Sequence, residues 1–156
     1  VCCLAAMAQG QCVDYDRAGW GARPPTSTSN IAKPVPRYFI HHSAGSSCST
    51  QSACASTVRA IQNYVGAHAS NWNSVAIGIC ALGTFTSSNP PAALQSRIQS
   101  LMACGVSGGH VSSTYSLHGH RQGVCTECPG QAFYNTICGW PRFAAGCLTG
   151  GCNCGC

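Results

Sequence analysis

Apolar positions in this chain fall into blocks that switch between strand-like and helix-like spacing. Residues 37 to 42, Arg-Tyr-Phe-Ile-His-His, are aromatic and β-branched and run straight into Ser43-Ala44-Gly45-Ser46-Ser47. They predict a strand whose last side chains sit at a strand end, where they can face a cleft. Ser49 or Thr50 is placed to cap a helix in which Cys54, Val58 and Ile61 recur at i, i+4 and i+7. Val75 to Leu82 carries Val, Ile, Ile and Leu with small residues between them, the pattern of a buried strand. Asn89-Pro90-Pro91 opens a second helix, with Leu94, Ile98 and Leu101 on one face and Gly105 as its expected end. A short strand over Ser116 to His120 and a third helix after Pro129-Gly130, carrying Phe133, Ile137 and Trp140, complete the series. Helices and strands interleave, which predicts an α/β (α+β) domain: a central mixed β-sheet flanked by about three helices.

Two stretches stand outside this pattern. Arg23 to Asn30 is rich in Pro, Ser and Thr and predicts an extended surface loop. The end of the chain, residues 144–156, is a Cys/Gly-rich tail with little to bury, and it is expected to stay off the core. Its composition leaves disulfides, a soft metal or an irregular terminus open, with disulfides or disorder favoured in an oxidising compartment.

With 156 residues the chain is one domain long, large enough to bury its own core. Eight Lys plus Arg against three acids give a net charge of +5 from scattered arginines, a weak preference for anionic partners that falls well short of a nucleic-acid footprint. No apolar run approaches the length that crosses a bilayer. Fourteen cysteines point to a secreted disulfide-bearing protein. Val1 to Ala8 is apolar and ends in Ala6-Met7-Ala8, a small-x-small pattern suited to signal-peptidase cleavage. Residues 1–8 are therefore expected to be a residual signal peptide, 9–143 the folded domain and 144–156 the tail.

Candidate chemistry concentrates in Leu117 to Gly130, where His120 and Cys128 lie eight positions apart across a turn. Together with a histidine of the His41-His42 pair they form a three-ligand zinc set, which leaves the fourth tetrahedral position for water as catalytic zinc requires. Imidazole and thiolate both suit zinc, and adjacent strand residues face opposite sides, so His41 and His42 do not share one ion. A Cys125–Cys128 disulfide is the competing reading, and it would remove the thiolate from the metal.

Several motifs carry a resemblance to a known family: Arg17-Ala18-Gly19-Trp20-Gly21-Ala22-Arg23-Pro24-Pro25, Tyr38 to Cys48, Val58 to Tyr64, Gly66-Ala67-His68-Ala69, Ala76-Ile77-Gly78-Ile79, Gly119-His120-Arg121-Gln122 and Thr126 to Gly130. In this order, from about Arg17 to Phe143, the chain closely resembles the short peptidoglycan recognition proteins of animals, relatives of the type 2 N-acetylmuramoyl-L-alanine amidases. The resemblance implies a secreted, zinc-dependent enzyme of innate defence that cuts the amide between N-acetylmuramic acid and L-alanine of bacterial peptidoglycan. It implies His41, His120 and Cys128 as zinc ligands, Thr126 and His68 as catalytic and substrate-binding residues, and His42 as a further substrate contact. It also implies a Cys48–Cys54 disulfide; Cys12–Cys138 is expected as a second pair that ties the N-terminal arm to the last helix, and Cys80 and Cys104 either pair or act as small apolar residues. Family members that lack the zinc cysteine bind the wall without cutting it, which is the alternative function.

The chain departs from the family pattern at one place. Tyr64 runs directly into Val65-Gly66-Ala67-His68, whereas the family inserts two strands and their hairpin there. The resemblance thus implies a sheet short of two strands, without the tyrosine that faces the zinc and without the pair of residues that distinguishes lysine-type from diaminopimelate-type stem peptides.

Overall fold

The computed structural model describes residues 12–25, 28–62 and 68–156, so the expected signal segment lies outside the described residues. Three strands, β1 (Val35–His42), β2 (Ala76–Ala81) and β3 (Val111–Gly119), alternate with α1 (Gln51–Gln62), α2 (Ala92–Ser107) and α3 (Gln131–Cys138), and a 3-10 turn at His120–Gln122 follows β3. The sheet order is β2-β1-β3, and β1 pairs parallel with both neighbours. The antiparallel component of the expected mixed sheet is not among these strands. A helix separates each strand from the next, and such crossovers bring consecutive strands back in the same direction.

Alternation along β1 divides the molecule. Tyr38 and Ile40 point into a core with Ile98 and Met102 of α2, Phe133, Tyr134 and Ile137 of α3, and Phe85, Leu117 and Trp140. Arg37, Phe39 and His41 take the other face. The register sets Ala76, Gly78 and Cys80 beside them on one side, with Ser116 and His118 opposite Arg37 and Phe39 on the other. His68 and Trp72 cover this second face, with ring centroids 5.9 and 6.1 Å from Phe39.

Helix α1 starts where expected: the Ala53 amide donates to Thr50 Oγ1 at 3.2 Å. Thr50→Ala should cost about 1 kcal/mol of stability by chemical denaturation, the usual value of a lost N-cap. Gly105 does not end α2. The helix passes through it to Ser107 and stops at Gly108 and Gly109, the latter at φ +68°. A side chain at Gly105 would collide with the Tyr38 hydroxyl, which itself donates to the Met102 carbonyl at 3.1 Å. The glycine is there for close approach of helix and sheet, a role that sequence position alone does not separate from termination.

Five disulfides lock the described chain: Cys12–Cys104, Cys48–Cys54, Cys125–Cys152, Cys138–Cys156 and Cys147–Cys154. The Cys48–Cys54 expectation holds. The Cys12–Cys138 pairing does not, because the N-terminal arm runs along α2, where Asp14 also meets Arg97 at 2.8 Å, and Cys138 at the end of α3 faces the tail. The tail stays off the hydrophobic core, as expected, and its cysteines form disulfides. Two bridges hold it against the loop after the 3-10 turn and against α3, and a third, Cys147–Cys154, closes it on itself, so cross-links supply what apolar burial does not. Among the described residues only Cys80 and Cys128 remain as free thiols.

Candidate metal centre

Three separate segments deliver the site. His41 is the penultimate residue of β1, His120 opens the 3-10 turn after β3, and Cys128 closes the loop that returns to α3. Because β1 and β3 are parallel neighbours, their C-terminal ends lie side by side, the usual place for a ligand in such sheets. One donor atom from each residue lies within 4.8 Å of the other two. The His41 and His120 rings are 4.3 Å apart at their centroids, and Cys128 Sγ is 3.9 Å from His41 Nδ1. Cys125 is bonded to Cys152, which removes the competing Cys125–Cys128 bridge.

The local environment favours neutral imidazoles. Burial, reinforced by the neighbouring His120, His68 and His42, lowers the His41 pKa to about 2, and burial with His68 and His42 lowers that of His120 to about 4. Both rings thus keep a lone pair at neutral pH. Burial pushes the Cys128 thiol up to about 12, opposed by the His42 backbone, whose amide donates to Sγ at 3.3 Å. A dication arriving among two neutral imidazoles and a thiol would displace the thiol proton, which is how such donor sets couple binding to pH. His41 Nε2 is buried without a hydrogen-bond partner among the described residues. In chemistry, spacing and open coordination the three side chains fit a zinc ion.

The remaining expected site residues surround this group. His68 stands edge-on to His41 at 5.3 Å between centroids. Its Nε2 lies 3.2 Å from the Ala76 carbonyl, so Nε2 carries the proton and Nδ1 is left as an acceptor without a protein partner. The His68 ring sits directly over Gly78, where a Cβ would come within 2.7 Å of it. Thr126 Oγ1 accepts the Cys128 amide at 3.3 Å, leaving its own hydroxyl proton to donate elsewhere. His42 turns away, as alternation requires, and its Nδ1 accepts the Phe85 amide at 3.3 Å.

Sequence reasoning passed over several supporting residues. Asn73 Oδ1 accepts the amides of His68 and Ala69 at 2.8 and 3.0 Å and so fixes the His68 loop. Trp72 Nε1 donates to the Gly123 carbonyl at 3.1 Å, tying that loop to the Cys128 loop. Arg121, 1% exposed, stacks on Tyr134 at 4.5 Å and donates to Gln131 and to the Glu127 carbonyl at 2.6 and 2.8 Å. The Asn-Trp-Asn-Ser run at 71–74 is a turn signal that points to a structured loop, whereas nothing local marks Arg121 as buried.

Comparisons with known proteins identify the family and the fold. The family model described as N-acetylmuramoyl-L-alanine amidase matches residues 10–131. Peptidoglycan-recognition protein SC2 of Drosophila simulans is 33% identical over 159 aligned residues, covering 83% of this chain and 86% of the relative. Peptidoglycan recognition protein 1 of Bos indicus is 29% identical over 90% of this chain and 92% of its own length. Among solved structures, Drosophila PGRP-LB superposes with a TM-score of 0.81 at 28% identity, over 83% of this chain and 95% of that one. Human PGRP-IBETAC in complex with glycosamyl muramyl pentapeptide gives 0.77 at 30% identity, over 82% and 96%. No helix among the described residues is long and apolar enough to cross a membrane. By sequence, by fold and by the residues gathered at the sheet's C-terminal edge, this chain belongs to the N-acetylmuramoyl-L-alanine amidase family, as a peptidoglycan recognition protein of the type 2 amidases.

Proposed function

We propose that the protein is a secreted, zinc-dependent amidase that hydrolyses the bond between N-acetylmuramic acid and L-alanine of bacterial peptidoglycan, in innate defence. The observation that carries this reading is the convergence of His41, His120 and Cys128 donors within 4.8 Å from three segments far apart in sequence. Family membership supplies the substrate class, and a relative held with a muramyl pentapeptide supports it. Five disulfides support an oxidising, extracellular location.

Bound among these three residues, zinc would polarise the amide carbonyl and lower the pKa of a water molecule toward neutrality. The chain's own residues do the rest. Thr126 presents its free hydroxyl proton next to Cys128, where charge develops on the carbonyl oxygen. His68, neutral and with Nδ1 unpartnered, accepts a proton or a substrate hydrogen bond beside His41. His42 keeps Nε2 for the substrate while Phe85 holds Nδ1. Positive net charge and scarce acids favour an anionic wall polymer.

Digestion of purified peptidoglycan tests the proposal. New L-alanine amino termini should appear, vanish with a chelator and return with zinc; a folded, zinc-loaded protein that releases none contradicts it. A recognition protein that binds without cutting is the second reading. It is favoured by the direct run of Tyr64 into Val65-Gly66-Ala67-His68, which lacks the two-strand insert that bears the family's tyrosine. Gly78→Ala should push the His68 ring aside and lower the rate by roughly 10-fold or more, in line with losing a hydrogen-bonding group, with zinc content unchanged.

A further inference from the structure

The C-terminal segment is bonded to the elements that carry two of the three proposed ligands. Cys125–Cys152 ties it to the loop that leads into Cys128. The Cys152 amide donates to the Arg121 carbonyl at 3.0 Å and the Leu148 amide to the Gln122 carbonyl at 2.7 Å, so the backbone acceptors next to His120 are satisfied by the tail. Gln122, fully buried, reaches back with Nε2 to the Ala144 and Gly146 carbonyls at 2.6 and 2.7 Å. Gly151 lies so close that a Cβ there would collide with the Gln122 carbonyl and come within 2.8 Å of the Arg121 carbonyl oxygen. Farther along, the Tyr134 hydroxyl donates to the Cys154 carbonyl at 3.0 Å, and Cys138–Cys156 and Cys147–Cys154 close the segment on α3 and on itself.

From the inner side the same two ligand-bearing pieces are joined to each other. The Arg121 amide donates to the Cys128 carbonyl at 2.9 Å and its guanidinium to the Glu127 carbonyl. The turn bearing His120 and the loop bearing Cys128 are thus clasped between one buried arginine and a cross-linked backbone that contributes no ligand. Surface loops ordinarily sit at the low end of local stability, and a metal site needs its ligands held in place by outer contacts.

We propose that residues 144–156 are a positioning strap, which fixes His120 relative to Cys128 so that metal affinity depends on bridges outside the coordination sphere. This rests on the metal-centre reading above, and the experiment separates the two. Full-length protein is compared with the Cys125→Ser/Cys152→Ser double variant, with Gly151→Ala, which keeps all five bridges, and with a Cys48→Ser/Cys54→Ser control whose bridge lies at the start of α1.

Amide hydrogen exchange over residues 120–128 is read in the zinc-free chain, and zinc affinity is read by competition with a chelating dye. The strap predicts at least about 10-fold faster exchange and roughly 10- to 100-fold weaker zinc binding in both strap variants, with the control unchanged in each. A strap variant that folds with wild-type exchange and affinity overturns the proposal. Should the double serine variant fail to fold, Gly151→Ala decides. Zinc binding without loosening overturns the strap alone, whereas a wild-type chain that binds no zinc overturns the metal reading and the strap's role with it.

Discussion

Replacing Cys128 by Ala should abolish amidase activity to within about a thousandth of the wild-type rate and weaken zinc binding by more than about 100-fold. Changes in the outer contacts of a metal site already cost 10- to 100-fold, and Cys128 is a direct donor and the only thiol in the group. Its side chain is 8% exposed and makes its hydrogen bonds with the His42 backbone. Truncation therefore leaves a small gap and one unpaired amide, at a cost of about 1–3 kcal/mol, which a domain with five disulfides withstands. The fold should persist, as near-UV circular dichroism and a thermal melt would show. Cys80→Ala is the matching control: its thiol is exposed on β2, outside the donor group, and the variant should keep both zinc and activity. Loss of activity with full zinc occupancy in Cys128→Ala would show that the thiolate is not a ligand.

The metal-free protein should lose several kcal/mol of stability as pH falls from 6.5 to 4. Burial, with Arg37 nearby, lowers His118 to about 4, and the ring is 3% exposed between Phe39 and Ser116. In the unfolded chain it titrates near 6.5. Between these values the unfolded state binds the extra proton, so stability rises with pH there, is complete above about 6.5 and is lost progressively down to about 4. At 1.36 kcal/mol per tenfold change in proton affinity, His118 alone accounts for about 3 kcal/mol. His41, lowered to about 2, extends the same limb. Only three acids are present to compete, so histidines dominate. Urea denaturation from pH 7.5 to 4 checks this, with His118→Gln expected to flatten the profile by its share; a wild-type curve level from 6.5 to 4 would refute it.

The candidate metal centre is legible in the sequence because His41, His120 and Cys128 are metal-binding residue types that stand at element ends. Alternation along β1 separated His41 from His42, and the same period put Tyr38 and Ile40 in the core. Elements at 35–42, 51–62, 76–81 and 131–138 lay where apolar spacing and caps put them, since those signals are local. What failed was set by distance in space. In the sequence Gly105 looks like a helix stop because nothing local shows that Tyr38 lies over it. Cys12 found Cys104 because an arm with few apolar residues packs along α2, a path with no periodicity to reveal it. The tail's place on the 3-10 turn depends on the carbonyls of Arg121 and Gln122 pointing outward, which is a property of a turn and not of the residues that meet it.

Anomalous diffraction at the zinc edge from crystals of the zinc-loaded protein decides whether His41, His120 and Cys128 share one ion. A single strong peak enclosed by these three side chains, with one coordination position open, is expected. No peak there at full zinc loading, or a peak held by other residues, would contradict a shared site.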